Sequence, residues 1–138
     1  MKKYVVAIFL AGLMFTSYAQ NKEPVHVQRY ASITGLKPEK MAYYKKLHAN
    51  AWPAVLKKIK NCNIRNYSIY LQKAGANYYL FSYFEYVGSD FKADMKKMAD
   101  DPATQRWWKE TDPCQQPLPE AAAKKQIWTT MEEVFHTN

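Results

Sequence analysis

Apolar residues recur along the chain with two different periods, which predict helices and strands in turn. Between residues 39 and 60 they recur at steps of three and four, as on one face of an amphipathic helix. Pro53 interrupts this pattern, so it should kink the helix or start a new turn there. A second helix is predicted after Ser89 as its N-cap, and a short third one begins at Asp101, with Pro102 in its first turn.

The strand-like segments are rich in β-branched and aromatic residues. Residues 73–77 separate two of them as a plausible hairpin loop, and three prolines predict a fixed, non-helical segment before the last one (Pro113, Pro117 and Pro119). The resulting order βαββαβ predicts a single α+β domain with a ferredoxin-like, antiparallel sheet. The predicted strands are 25–33, 65–72, 78–87 and 126–135.

The strand at 78–86 is largely apolar on both faces, although the helices can cover only one face of a four-stranded sheet. A second copy of the same sheet is the simplest cover for the other face, and this predicts a homodimer packed sheet to sheet. The alternative is a monomer in which the proline-rich segment 113–125 covers that face.

The N-terminal residues 1–19 predict a signal peptide. Two lysines precede an apolar run that is too short to span a bilayer, and Ser17-Tyr18-Ala19 supplies a cleavage site. Cleavage after Ala19 would leave residues 20–138 as one domain, which we expect to be exported, most simply to the periplasm, and not to stay in the membrane.

Composition narrows the possible chemistry. The formal net charge is +8, but the lysine pairs are typical of solvated faces, and no nucleic-acid-binding motif is present. Four glycines are too few for a glycine-rich phosphate loop, and three scattered histidines do not predict a metal site. Cys62 and Cys114 could pair in an oxidising compartment or remain free thiols.

His48 and Tyr44 are the first candidates for chemistry, because residues four apart are neighbours on a helix surface. His48 is either a hydrogen-bonded core residue or the polar group of a pocket. His26 and His136, near the ends of the domain, are interpreted as structural or surface residues.

Trp107 and Trp108 are the second candidates. Adjacent residues on a helix point about 100° apart, so one tryptophan can pack while the other lines an opening. Indole faces stack on the C–H faces of sugars, but both side chains could also be ordinary core and rim aromatics. Among the carboxylates, Glu85, Glu132 and Glu133 have no spacing that singles out a glycosidase pair.

Four segments together resemble the L-rhamnose mutarotase family, over about residues 30–136. The resemblance implies a dimeric α/β barrel of ferredoxin-like subunits that interconverts the α and β anomers of L-rhamnose. Related L-fucose-acting sequences share the first motif, so another 6-deoxyhexose is an alternative substrate. The motifs are HANAWP (48–53), IRNYSIYL (64–71), QRWW (105–108) and MEEVFH (131–136).

The resemblance also implies site residues. The family's catalytic histidine falls on His48, with Tyr44 one helical turn earlier, and its sugar-contacting tryptophans fall on Trp107 and Trp108. Asn66 and Tyr70 lie on a strand that runs past the site in the family, and the resemblance assigns them to substrate binding.

Mutarotation opens and closes a pyranose ring, which needs proton transfer but no redox step. A histidine with a pKa near neutrality can perform it, and no metal or organic cofactor is expected. Three other functions stay open: a non-catalytic carbohydrate-binding module, a haem-degrading monooxygenase of the same fold class, and a purely structural dimer.

Overall fold

The structure is a computed structural model, and it describes residues 26–137. The predicted leader, residues 1–19, lies outside this range. Within the described residues, helices and strands alternate in the predicted βαββαβ order, with a further short strand and helix before the last strand. The helices are α1 Met41–Ala49, α2 Pro53–Asn61, α3 Phe91–Ala99, α4 Pro102–Thr111 and α5 Pro119–Ala123; the strands are β1 Gln28–Leu36, β2 Ile64–Ala74, β3 Asn77–Tyr86, β4 Gln115–Gln116 and β5 Thr129–Met131.

The strands form one antiparallel sheet in the order β2-β3-β1-β4, and β5 also pairs with β1. Consecutive strands β2 and β3 are joined as the predicted hairpin. Gly75 at the turn has φ +60°, a left-handed conformation that glycine adopts without the penalty of a Cβ atom. The predicted α+β ferredoxin-like fold with an antiparallel sheet is confirmed.

The predicted helical region 39–60 consists of two helices, α1 and α2. Trp52 is extended at the N-cap of α2, so Pro53 starts a new helix, one of the two outcomes expected for it. Asp101 caps α4 as predicted, and its carboxylate accepts a hydrogen bond from the Thr104 amide. The predicted N-cap Ser89 is wrong by one residue, because the carboxylate that accepts from the Ala93 amide belongs to Asp90.

The C-terminal third differs most from the prediction. The segment 113–125 is not free of helix, since it carries α5, in which Pro119 occupies the first turn, where its missing N–H costs nothing. The last strand is only β5 rather than 126–135. Gly35 lets β4 approach β1, because a Cβ there would lie 2.6 Å from the Gln116 carbonyl oxygen.

The helices cover one face of the sheet, here called the inner face. Leu36 and Leu80 on this face pack with Tyr44 and Cys114 in a buried cluster. The opposite, outer face carries Ile33, Phe81, Tyr70 and their row neighbours, and the Tyr70 side chain is exposed there. Within the same residues, every helix is too short or too polar to cross a bilayer.

Candidate active site

A cavity lies between the inner face of the sheet and helices α1, α2 and α4. It consists of two adjoining parts of about 460 and 840 Å³, which share His48, Tyr44, Tyr67 and Trp107 as walls. Both volumes fall in the range that small-molecule sites occupy. Most of the exposed wall is apolar, and the polar groups set into it therefore decide what the cavity can bind.

Helix α1 brings His48 and Tyr44 together, as their spacing predicts. Their ring centroids are 4.1 Å apart, and Nδ1 of His48 is 2.9 Å from the carbonyl oxygen of Tyr44. A carbonyl oxygen only accepts hydrogen bonds, so Nδ1 carries the proton and Nε2 is the basic nitrogen of the neutral ring. Burial lowers the pKa of His48 below 6.5, and the hydrogen bond to Tyr44 opposes this only in part. The imidazole is thus a neutral base at pH 7.

The two tryptophans of α4 point in different directions, as the ~100° separation of adjacent helix residues predicts, and they differ in burial. Trp107 is only 7% exposed, and its ring meets those of His48 and Trp52 edge-on, with centroids 5.2 and 5.3 Å apart. Trp108 lines the cavity as well but is 37% exposed. Trp107 therefore holds the imidazole in place, whereas Trp108 offers an indole surface near the opening.

Several further polar residues line the cavity without being anticipated from the sequence, among them Tyr67, Asp112 and Gln115. Asp112 follows Trp108 by four residues, and this helical spacing is a signal that could have found it. Tyr67 precedes Ile69 by two residues on β2, so both point to the inner face. No local signal marks Gln115, because its place depends on the pairing of β4 with β1.

Burial sets the protonation of these groups. It raises the pKa of the Tyr44 hydroxyl strongly, although a hydrogen bond from the Gln115 side-chain amide partly offsets this. The phenol therefore keeps its proton at any physiological pH and can donate it in a hydrogen bond. Burial also raises the pKa of the Asp112 carboxyl, which has no hydrogen-bond or ion-pair partner among residues 26–137.

Asn66 and Tyr70 do not line the cavity of this chain. The Tyr70 side chain is 64% exposed, and the residue lies opposite Phe81 on the outer face. Asn66 has φ 49° at an irregularity in β2 and donates its amide to Glu85, 2.6 Å away. The structure thus separates these two residues from His48 by the thickness of the sheet.

The cysteines and the remaining histidines lie apart from this cavity. Cys62 and Cys114 are buried free thiols, so the pairing that the sequence left open is not made. Burial raises the pKa of both thiols. Among residues 26–137, no group of three or more His, Cys, Asp or Glu side chains is arranged to hold a metal ion.

Comparison with known proteins identifies a family that this chain resembles in sequence. Residues 29–137 match the sequence model of the family described as L-rhamnose mutarotase. The chain is 30% identical over 110 residues to the L-rhamnose mutarotase of Oceanobacillus iheyensis. This match covers 80% of this chain and 98% of that protein. It is also 31% identical over 110 residues to the L-rhamnose mutarotase of Listeria monocytogenes. This match covers 80% of this chain and 98% of that protein.

A solved structure supports the fold. The crystal structure of an L-rhamnose mutarotase from Formosa agariphila superposes with a TM-score of 0.60, over 80% of this chain and 99% of that one. The sequence identity is 22% in this comparison, so the likeness concerns the arrangement of helices and strands.

Proposed function

The chain belongs to the L-rhamnose mutarotase family, and we propose that it is an isomerase that interconverts the α and β anomers of L-rhamnose. One observation carries this proposal. A neutral imidazole, fixed by the Tyr44 carbonyl, faces a cavity of monosaccharide size with an indole near its opening. Such a site combines a base with a surface for a sugar ring.

In the proposed mechanism, Nε2 of His48 takes the proton from the anomeric hydroxyl as the C1–O5 bond breaks. The electron pair of that bond stays on O5, and the same imidazolium returns the proton to O5, which leaves an open-chain aldehyde. Rotation about C1–C2 presents the other face of the carbonyl, and the reverse transfers close the ring. Protons and electrons balance, and general acid–base assistance contributes roughly 10²–10⁴ in rate.

The neighbouring side chains support this proton transfer. Because its phenol stays protonated, Tyr44 can donate a hydrogen bond to the sugar oxygen on which negative charge develops. Trp107 keeps the imidazole from turning, and Trp108 stacks on the sugar and excludes water.

We further propose that the protein acts as an exported homodimer. Its outer sheet face supports the dimer, since the exposed side chain of Tyr70 and the neighbouring Phe81 lie on this face. The charged and apolar pattern of residues 1–19 supports export. The mass of the protein recovered from the periplasm should match a chain that begins at Gln20, and recovery of the whole chain from the cytoplasm would contradict export.

Saturation-transfer proton NMR on equilibrated L-rhamnose tests the activity. The wild type should accelerate exchange between the two anomers, and His48→Ala should slow it at least tenfold. His26→Ala is the matched control, because His26 is exposed and lies outside the cavity. An unchanged rate in folded His48→Ala would remove His48 from the mechanism.

Parallel spectra with L-fucose rank the two sugars. Faster exchange of L-fucose than of L-rhamnose would reassign the substrate within the 6-deoxyhexoses. Sugar binding without any acceleration would make the protein a carbohydrate-binding module.

A further inference from the structure

Gln115 carries an unpaired polar atom inside the cavity. The residue is 5% exposed, and Oε1 of its side chain has no hydrogen-bond partner. In the pairing of β4 with β1, Gln115 lies opposite Leu36, a core residue of the inner face. Its side chain therefore extends to the cavity side of the sheet, where it forms part of the wall.

A buried acceptor without a donor is costly, and folded proteins rarely retain one without a reason. The side-chain contact between Gln115 and the Tyr44 hydroxyl leaves Oε1 as the end of the amide without a partner. Oε1 is thus held in the cavity by the contact that the other end of the amide makes. A ligand with a hydroxyl donor would satisfy it.

Asp112 adds a second acceptor to the same end of the cavity. A single turn of 3₁₀ helix, Asp112–Cys114, separates it from Gln115, and both line the larger part of the cavity. Its half-buried carboxyl group receives no hydrogen bond from any side chain or amide of residues 26–137. Two neighbouring groups thus accept hydrogen bonds, although the Lys37 ammonium lies near the same turn, where it donates to the Pro113 carbonyl. This acceptor-rich end matches the hydroxyl groups of a pyranose, each of which can donate.

We propose that Gln115 Oε1 and the Asp112 carboxylate accept hydrogen bonds from ring hydroxyls of the sugar and thereby select it. This inference rests on the proposed function and deepens it. Tyr44 contacts Gln115 at the acceptor-rich end of the cavity, and its carbonyl oxygen also holds His48 at the end where the proton is transferred. The acceptors therefore hold the ring with its anomeric carbon towards Nε2, while His48 performs the chemistry.

These separate roles of the acceptors and of His48 predict how tightly the site binds sugars that lack one hydroxyl group. A site built to receive a hydroxyl rejects the analogue that lacks it, because its own acceptor then stays unpaired. The losses of binding free energy caused by removing one hydroxyl and by removing its acceptor should therefore not be additive. The second change should cost little once the first has been made.

The test combines three deoxy analogues of L-rhamnose, at positions 2, 3 and 4, with the variants Gln115→Met and Asp112→Asn. Methionine keeps the length of the side chain and removes the acceptor. Binding is followed by tryptophan fluorescence, since Trp107 and Trp108 line the cavity, and kcat and KM by anomer exchange. Gln116→Met is the matched control, as the adjacent Gln116 is exposed and lies outside this cavity.

We expect wild type to bind at least one analogue about tenfold more weakly than L-rhamnose, and Gln115→Met to show no such preference. Gln115→Met and Asp112→Asn should raise KM more than they lower kcat, whereas Gln116→Met should behave as wild type. Additive losses for all three analogues, in protein with wild-type thermal unfolding, would overturn the inference while leaving the mutarotase intact. Wild type that neither binds nor interconverts any of these sugars would overturn the proposed function and the inference together.

Discussion

The carbonyl oxygen of Tyr44 decides which nitrogen of His48 can take up a proton. It fixes the proton on Nδ1, at 2.9 Å, and leaves Nε2 as the base. Burial among apolar walls lowers the pKa of the imidazole below 6.5, because a charged ring is poorly solvated there. The residue is therefore in its reactive form at neutral pH without any help from a carboxylate.

The lowered pKa of His48 predicts the pH dependence of the reaction. The base must be neutral, so kcat/KM should stay constant as the pH falls to 6.5 and decline only below it. The measurement is anomer exchange against pH after subtraction of the spontaneous rate. Asp112→Asn is the control, because the decline should persist without that carboxyl. A half-maximal rate above pH 6.5 would contradict a lowered pKa.

The two tryptophans should respond differently to truncation. Trp108→Ala removes the indole near the opening and should weaken sugar binding more than it lowers kcat. Trp107→Ala removes the ring packed on His48, so it should lower kcat and stability together. Fluorescence titration and anomer exchange separate the two effects. Unchanged sugar affinity in folded Trp108→Ala would argue against the stacking role.

Asp94 of α3 joins three elements through one buried carboxylate. Its oxygens accept hydrogen bonds from Asn63 before β2, from Tyr86 at the end of β3 and from Lys97, each at 2.8 Å. These donors stabilise the charged form and lower the pKa of Asp94 to about 2. The sheet and helix α3 are held together at this point.

The lowered pKa makes this junction sensitive to acid. Stabilisation by Asp94 is fully present above the ordinary pKa of 3.8 and is lost as the pH falls through about 2. Asp94→Asn should therefore unfold at lower urea concentration than wild type at pH 7, and the difference should shrink between pH 4 and pH 2. Asp100→Asn is the matched control, because Asp100 is exposed next to the same helix. A difference that does not depend on pH would refute the linkage.

The outer face of the sheet bears on whether two copies of the molecule associate. Ile33, Phe81 and Tyr70 form a row across β1, β3 and β2, and the Tyr70 side chain is exposed. Their aromatic and aliphatic surface favours burial against another apolar surface. A second copy with the same row satisfies this with two-fold symmetry.

A charge placed in this row should separate the proposed dimer. We expect wild type to sediment as two chains and Phe81→Glu as one, because the glutamate would be desolvated at the interface. Lys57→Glu on the exposed side of α2 is the control for added negative charge. Analytical ultracentrifugation gives the mass. A wild type that sediments as a single chain would contradict the dimer.

Local order was predictable from the sequence because it depends on residues only a few positions apart. The helix start at Pro53, the N-cap at Asp101, the hairpin turn at Gly75 and the pairing of Tyr44 with His48 all follow from such short spacings. The βαββαβ order follows in turn, because periodicity marks each element separately.

Contacts between distant segments were decided only by the tertiary structure. Gln115 reaches the cavity because β4 pairs with β1, about eighty residues earlier in the chain. An irregularity in β2 between Arg65 and Ser68 brings Ile64 and Tyr67 to the same face, against the simple alternation of a strand. Packing of α4 on α1 sets Trp107 against His48. Each of these depends on long-range packing free energy, which no local pattern encodes.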